Sequence, residues 1–129
     1  MSSALEIEIV APCGGAQGLE RAAETTLEAL GVGDGHLAVT LVVEDEIVRL
    51  NRDHRAKDEP TDVLSFPIDG TGPASGPREL GDIVICPAHT DDLEEAVVHG
   101  VLHLCGHNHE DDHGEMLTLQ DEILARLRR

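Results

Sequence analysis

Aromatic side chains are almost missing from this 129-residue chain, which has one Phe, no Trp and no Tyr. Binding single strands by stacking bases on a row of aromatics is therefore excluded. Basic residues are scarce too: nine Lys and Arg stand against 26 Asp and Glu, a formal net charge of -17. That balance excludes a broad basic surface that coats nucleic acid, and it opposes binding to anionic membranes. A small local phosphate site is still compatible with it, because fields between exposed charges fade over roughly 8 Å at physiological salt. The three cysteines (Cys13, Cys86, Cys105) are far apart and lack C-x-x-C spacing. This argues against a disulfide framework and for a reducing, cytoplasmic setting. The opening MSSALEIEIV lacks the basic start and apolar run of a signal peptide. No uncharged stretch reaches membrane-spanning length, and the best, 96–109, is interrupted by four histidines.

What is present is enough for a core. Apolar residues make up 40% of the chain, and the length fits one domain over residues 1–129. Leu5, Ile7 and Ile9 alternate with Glu6 and Glu8, which predicts a strand with one wet face. Leu19, Ala22, Ala23, Thr26, Leu27 and Leu30 fall at helical spacing, with Gly31 as a stop. A second, more buried strand is expected over 36–43. A helix over 44–54 follows, with acids at its N-terminus and Ile47, Val48 and Leu50 available for burial. Residues 63–66 and 80–86 read as strands, separated by a Gly/Pro-rich loop at 69–78. Thr90, Asp91 and Asp92 start a helix that runs to about Cys105. A last helix spans 113–127, with Met116, Leu119, Ile123, Leu124 and Leu127 as its apolar face. The order βαβαββαα predicts a single α+β domain, a mixed sheet of about four strands packed with helices.

Histidine is the outlier, with five of eight between His99 and His113. His99 and His103 are four apart, so on a helix both imidazoles share one face, one turn apart, and can bind one ion. Gly106 can take the left-handed conformation that ends the helix, and His109 can swing back as a third ligand. Three neutral nitrogens leave one position of a tetrahedral Zn²⁺ open, as in catalytic sites. From 96 to 105 the helix has no charged side chain, so histidines left without partners in that wall would be costly. The alternative is a pair of core histidines bonded to backbone carbonyls; three histidines spaced around a glycine favour the metal. For His107 and His113 a fourth ligand, a proton shuttle and a solvated loop position are all open, the solvated reading leading, and Glu110, Asp111 and Asp112 read as a wet loop or helix cap rather than a ligand set. Cys105 reads as a small buried apolar residue. Gly100 costs about 1 kcal/mol relative to Ala in mid-helix, so it signals close packing or a ligand's approach.

The spacing H-x3-H-x5-H also resembles the metzincin proteases. Those carry Glu directly after the first histidine as general base, where this chain has Gly100. A second segment points elsewhere. Arg49, Arg52, Arg55 and Lys57, four of the nine basic residues, lie within nine positions, the one place suited to attract a phosphate. Pairing with neighbouring acids is a serious alternative for Arg49, Arg52 and Lys57. Arg55, just before a Pro-Thr-Asp turn, is the better candidate. Ser65 has no G-x-S-x-G context, so serine-nucleophile chemistry is not indicated.

Together, N-R-D-H-R-A-K-D-E-P-T-D-V-L-S-F-P, L-G-D-I-V-I, H-G-V-L-H-L-C-G-H-N-H and M-L-T-L-Q-D-E-I-L resemble the YbeY family of bacterial endoribonucleases, or rRNA maturation factors. The resemblance runs in one order from about residue 40 to the C-terminus. It implies a single-strand endoribonuclease with one zinc per chain, acting in 16S rRNA 3′-end maturation and ribosome quality control. By position it makes His99, His103 and His109 the metal ligands and Arg55 the arginine near the metal. Between Gly106 and the last histidine stand His107 and Asn108, where the family usually has Tyr-Asp. On this reading zinc lowers the pKa of a bound water toward about 7, and Arg55 stabilises charge on the phosphate oxygens. The expected partners are single-stranded RNA, rRNA above all, and by resemblance the small ribosomal subunit; DNA and membranes are not expected. Three alternatives stay open: a metzincin-like zinc peptidase using another base, a small-substrate hydrolase, and a non-enzymatic ribosome-assembly factor whose zinc only holds the fold. The acidic balance further implies that RNA contact is confined to the Arg49–Lys57 patch and the zinc, with a partner presenting the substrate.

Overall fold

The computed structural model describes residues 4–12, 14–15, 17–55, 61–69, 78–107 and 113–128. Alternation of apolar and acidic residues makes β1 (Ala4–Val10) a strand whose Leu5, Ile7 and Ile9 pack on the core, while Glu6 and Glu8 are exposed. Helix α1 (Leu19–Ala29) buries Leu19, Ala22, Ala23, Thr26 and Leu27 at the expected spacing. Then come β2 (Asp34–Leu41), α2 (Glu44–Arg55), β3 (Val63–Pro67), β4 (Glu79–Ile85), a short 3-10 turn, α3 (Leu93–Leu104) and α4 (Glu115–Leu127). The order βαβαββαα therefore holds. Strand β2 sits two residues earlier than its apolar run suggests. Val42 N–H still donates to Ile85 O, but Val43 O accepts from Glu46 and Ile47 and so opens α2.

The sheet order is β1-β2-β4-β3. Strands β1, β2 and β4 run parallel, and β3 lies antiparallel on the edge. Each sheet face is covered differently. On one face, Leu37, Val39, Ile83 and Ile85 pack with α1, α3 and α4 in the main core. On the other, Val84, Cys86 and Leu64 pack with Ile47 of α2. Helix α2 covers only the β3–β4 half of that face. Its Asn51 is 1% exposed, a burial that the apolar periodicity does not announce.

Across the other half, His36 links three strands. Its Nδ1 lies 2.5 Å from Glu79 Oε1 and its Nε2 3.3 Å from Glu8 Oε1. The bond to Glu79, with a lesser contribution from Glu8, raises the His36 pKa above its ordinary value despite partial burial. A raised folded-state pKa gives stabilisation that is fully present below the unfolded value of about 6.5 and lost as pH rises through the folded value. His36→Gln is therefore expected to lower the melting temperature more at about pH 5.5 than at about pH 9. Equal losses in thermal unfolding at both pH values would show that the ring is not charged in the folded protein.

Candidate metal centre

Helix α3 is set by its ends. Asp92 is the N-cap and accepts from Glu95 N–H at 3.0 Å. Burial pushes the Asp92 carboxyl up, but the Glu95 amide and the paired Arg128 guanidinium outweigh it and hold the pKa below the ordinary value. Ala96, Val97, Val98, Gly100, Val101, Leu102 and Leu104 are buried, while His99 and His103 form the half-buried stripe that the rest of the helix leaves. Gly100 is there for packing. A Cβ at that position would meet Ile83 Cγ2 at 2.8 Å, so the missing side chain lets α3 lie close on β4. The Gly100 carbonyl also accepts from Ser65 Oγ at 3.2 Å, which ties the edge strand to the helix.

The two imidazoles face each other edge to face, with ring centroids 4.6 Å apart and Nε2 atoms 3.0 Å apart. Each Nδ1 has its own partner. His103 Nδ1 lies 2.9 Å from the His107 carbonyl, and His99 Nδ1 lies 2.8 Å from Gln120 Oε1 on α4. An Nδ1–H that donates outward puts a lone pair on Nε2, so both lone pairs point into the same gap. Two lone pairs at that distance repel unless a cation lies between them. A tetrahedral zinc with bonds of about 2.0–2.1 Å holds its nitrogens about 3.3 Å apart, close to the spacing found. Outward bonds from Nδ1 to a carbonyl or amide oxygen are also what metal-binding histidines use to fix their orientation. The pair therefore fits a metal.

The turn that supplies the His107 carbonyl follows from Gly106. Its φ of +96° is the left-handed conformation, which glycine adopts without Cβ strain. The chain then closes with Gly106 N–H on His103 O and His107 N–H on Leu102 O, both at 3.0 Å. This 6→1 and 5→2 pair is a Schellman ending. It folds residue 107 back so that its carbonyl meets the ring one turn earlier.

The remaining candidates divide. Among the described residues no group of three His, Cys, Asp or Glu side chains could hold a metal ion. The third expected ligand, His109, lies outside the described residues, as do Glu110, Asp111, Asp112 and Lys57. Cys105 is half-buried and a free thiol; burial pushes its pKa up to about 11, so it stays protonated at neutral pH. In the basic patch, Arg49 pairs with Glu46, and Arg52 lies 3.4 Å from Asp53. Each of these two arginines thus has an acid of its own helix beside it, which partly offsets its charge. Arg55 closes α2. The preceding His54 rests on Phe66 at 4.9 Å, and Phe66 pairs with Asp82. The end of α3 sits at the same level, since Leu104 packs at Gly81, the next pair along β4. Helix α2, which Arg55 closes, thus packs toward the edge strand on one face of the sheet through Phe66, and α3 meets that strand on the other face through Ser65.

Sequence reasoning missed Gln120 and the His107 carbonyl. Gln120 had a signal: it sits four residues after Met116 and three before Ile123, in line with the apolar stripe of α4. It is 7% exposed. The carbonyl had none, since a main-chain group leaves no mark in the sequence. Among the described residues no helix is long and apolar enough to cross a membrane.

Comparison with known proteins identifies the relatives. A family model described as Endoribonuclease YbeY matches residues 15–128, beginning well before residue 40, where the sequence resemblance becomes readable. An Endoribonuclease YbeY of Persephonella marina is 37% identical over 125 residues, covering 85% of this chain and 82% of that protein. One of Thermobifida fusca is 40% identical, covering 86% and 84%. One of Nitrobacter hamburgensis is 39% identical, covering 96% and 78%. The solution structure of a Thermotoga maritima protein superposes with a TM-score of 0.60 at 31% identity, covering 94% of this chain and 88% of that one.

Proposed function

The chain belongs to the Endoribonuclease YbeY family, and from that premise we propose a zinc-dependent endoribonuclease that cuts single-stranded rRNA. Its work is 16S rRNA 3′-end maturation and ribosome quality control, in the cytoplasm, on substrate presented with the small ribosomal subunit. Residues 1–129 act as one hydrolase domain. The observation that carries the metal half of this reading is the pair of Nε2 atoms 3.0 Å apart, each on a ring whose Nδ1 is engaged elsewhere.

His99, His103 and His109 would hold the ion. When bound, zinc supplies a Lewis acid that polarises phosphoryl oxygen and lowers the pKa of coordinated water toward about 7. The chain supplies the rest. Helix α3 is buried from Ala96 to Leu104 apart from the two rings, so His99 and His103 are carried on a well-packed element that fixes their positions. Arg55 neutralises the non-bridging oxygens of the scissile phosphate, with a fork that matches phosphate geometry. Arg49 and Arg52, their charge partly offset by acids, contribute less affinity, which keeps general RNA binding weak. The metzincin base has no counterpart here: position 100 carries no side chain, and Ile83 fills the space where one would begin.

The test compares cleavage of a labelled single-stranded RNA by zinc-loaded protein, chelator-stripped protein and Arg55→Ala. The loaded protein should cleave, the stripped protein should not, and Arg55→Ala should lose about 10²–10³-fold with its zinc content intact. Equal cleavage in all three would trace the activity to a contaminating nuclease and overturn the proposal.

A further inference from the structure

His99 and His103 are oriented by partners of different kinds. The main-chain carbonyl beside His103 Nδ1 can only accept, so that ring carries its proton on Nδ1. The side-chain amide beside His99 has an oxygen and a nitrogen to offer, and it offers Oε1 at 2.8 Å. We infer that Gln120 is a positioning residue: by presenting its oxygen, it holds His99 in the Nδ1–H tautomer and so turns the Nε2 lone pair toward the metal position. This deepens the metal reading above and rests on it.

The reverse arrangement shows what is at stake. With the amide nitrogen toward His99, Nδ1 would accept and the ring proton would move to Nε2. That proton would point at His103 Nε2, 3.0 Å away, and close the gap with a hydrogen bond between the rings. The orientation of one amide therefore separates a gap sealed by a proton from a gap open to a cation.

Burial supports the assignment. Gln120 is 7% exposed and lies in the stripe of Met116, Ile123 and Leu124. A polar group placed there without a bond is destabilising, and an apolar side chain would satisfy packing alone. The bond to His99 is what the amide adds. It also makes α4 a support for the α3 site, because the orienting group comes from a different helix.

The experiment uses the full chain and two readouts. In metal-free, ¹⁵N-labelled protein, long-range proton–nitrogen correlations report which nitrogen of His99 carries the proton. Competition against a chromophoric chelator gives zinc affinity. Wild type should show the Nδ1–H tautomer even without the cation, the bond to Gln120 Oε1 outweighing the repulsion between the two Nε2 lone pairs. Gln120→Met, similar in length but without the acceptor, should bind zinc about 10–100-fold more weakly. Gln120→Glu, which keeps an acceptor, should retain wild-type affinity or exceed it. A packing role alone would leave tautomer and affinity unmoved in Gln120→Met. The inference is overturned by an Nε2–H tautomer in wild type, by wild-type zinc affinity in Gln120→Met, or by Gln120→Glu as weak as Gln120→Met. If Gln120→Met does not fold, the wild-type tautomer and Gln120→Glu decide. If wild type itself takes up no zinc, the ligand assignment fails, and the tautomer still decides the role of Gln120.

Discussion

His103→Ala is expected to abolish RNA cleavage while leaving the protein folded. The ring is half-buried on a helix whose other side chains carry the core, with Val97, Val101, Leu102 and Leu104 all 3% exposed or less. Removing it takes no methyl group from that core. It does remove one of two nitrogens that converge at 3.0 Å. A catalytic metal stabilises transition-state charge by several kcal/mol, and about 1.4 kcal/mol is a factor of ten, so the loss should be about 10³-fold or more. Single-turnover cleavage of a labelled RNA measures it, with circular dichroism as the folding control and metal analysis on the same sample. A folded variant that cleaves within about tenfold of wild type, a change worth only about 1.4 kcal/mol, would remove His103 from the machinery.

The second large effect lies in the sheet. Gly81 has φ +144° in β4, and a Cβ there would sit 2.5 Å from Phe66 O, 2.9 Å from Pro67 Cα and 2.9 Å from Leu104 Cδ2. Two of those atoms are backbone of the paired edge strand and cannot turn aside as a side chain does. Overpacking costs about 1–3 kcal/mol, and an unfavourable φ costs about as much again. Gly81→Ala should therefore lose about 3 kcal/mol or more, a large share of the 5–15 kcal/mol typical of a domain. That corresponds to a fall in melting temperature on the order of 10 °C. Gly33 is the control: no atom lies within 4 Å of its Cβ position and its φ is ordinary, so Gly33→Ala should stay within about 0.5 kcal/mol of wild type or gain slightly. Similar melting temperatures for the two variants would show that β3 and β4 yield at Gly81.

Much of the architecture was legible because its cause is local. The alternation around Ile7 marks β1, and the acids of 44–46 with Ile47 behind them mark the start of α2. The uncharged run from Ala96 marks α3 as a buried helix. Sheet order was not legible, since placing β4 between β2 and β3 depends on contacts between distant segments. At the site, residue type and spacing revealed the two rings that meet. Their orientation was hidden, because it comes from a glutamine that resembles a surface residue and from a backbone oxygen. The basic patch looked more strongly charged in sequence than in space, because Glu46 reaches Arg49 one helical turn away.

The carbonyl that steadies His103 belongs to residue 107, and every amino acid has that carbonyl. The identity of the side chain at 107 is therefore uncoupled from the job done there. Replacing the His107 side chain should leave the His103 ring undisturbed. The constraint falls on the neighbour instead. At Gly106, with φ +96°, nearly any replacement strains the turn that delivers the carbonyl. Freedom to drift and intolerance of change thus sit side by side, one peptide bond apart, and a mutational scan across 106 and 107 should find a sharp step between them.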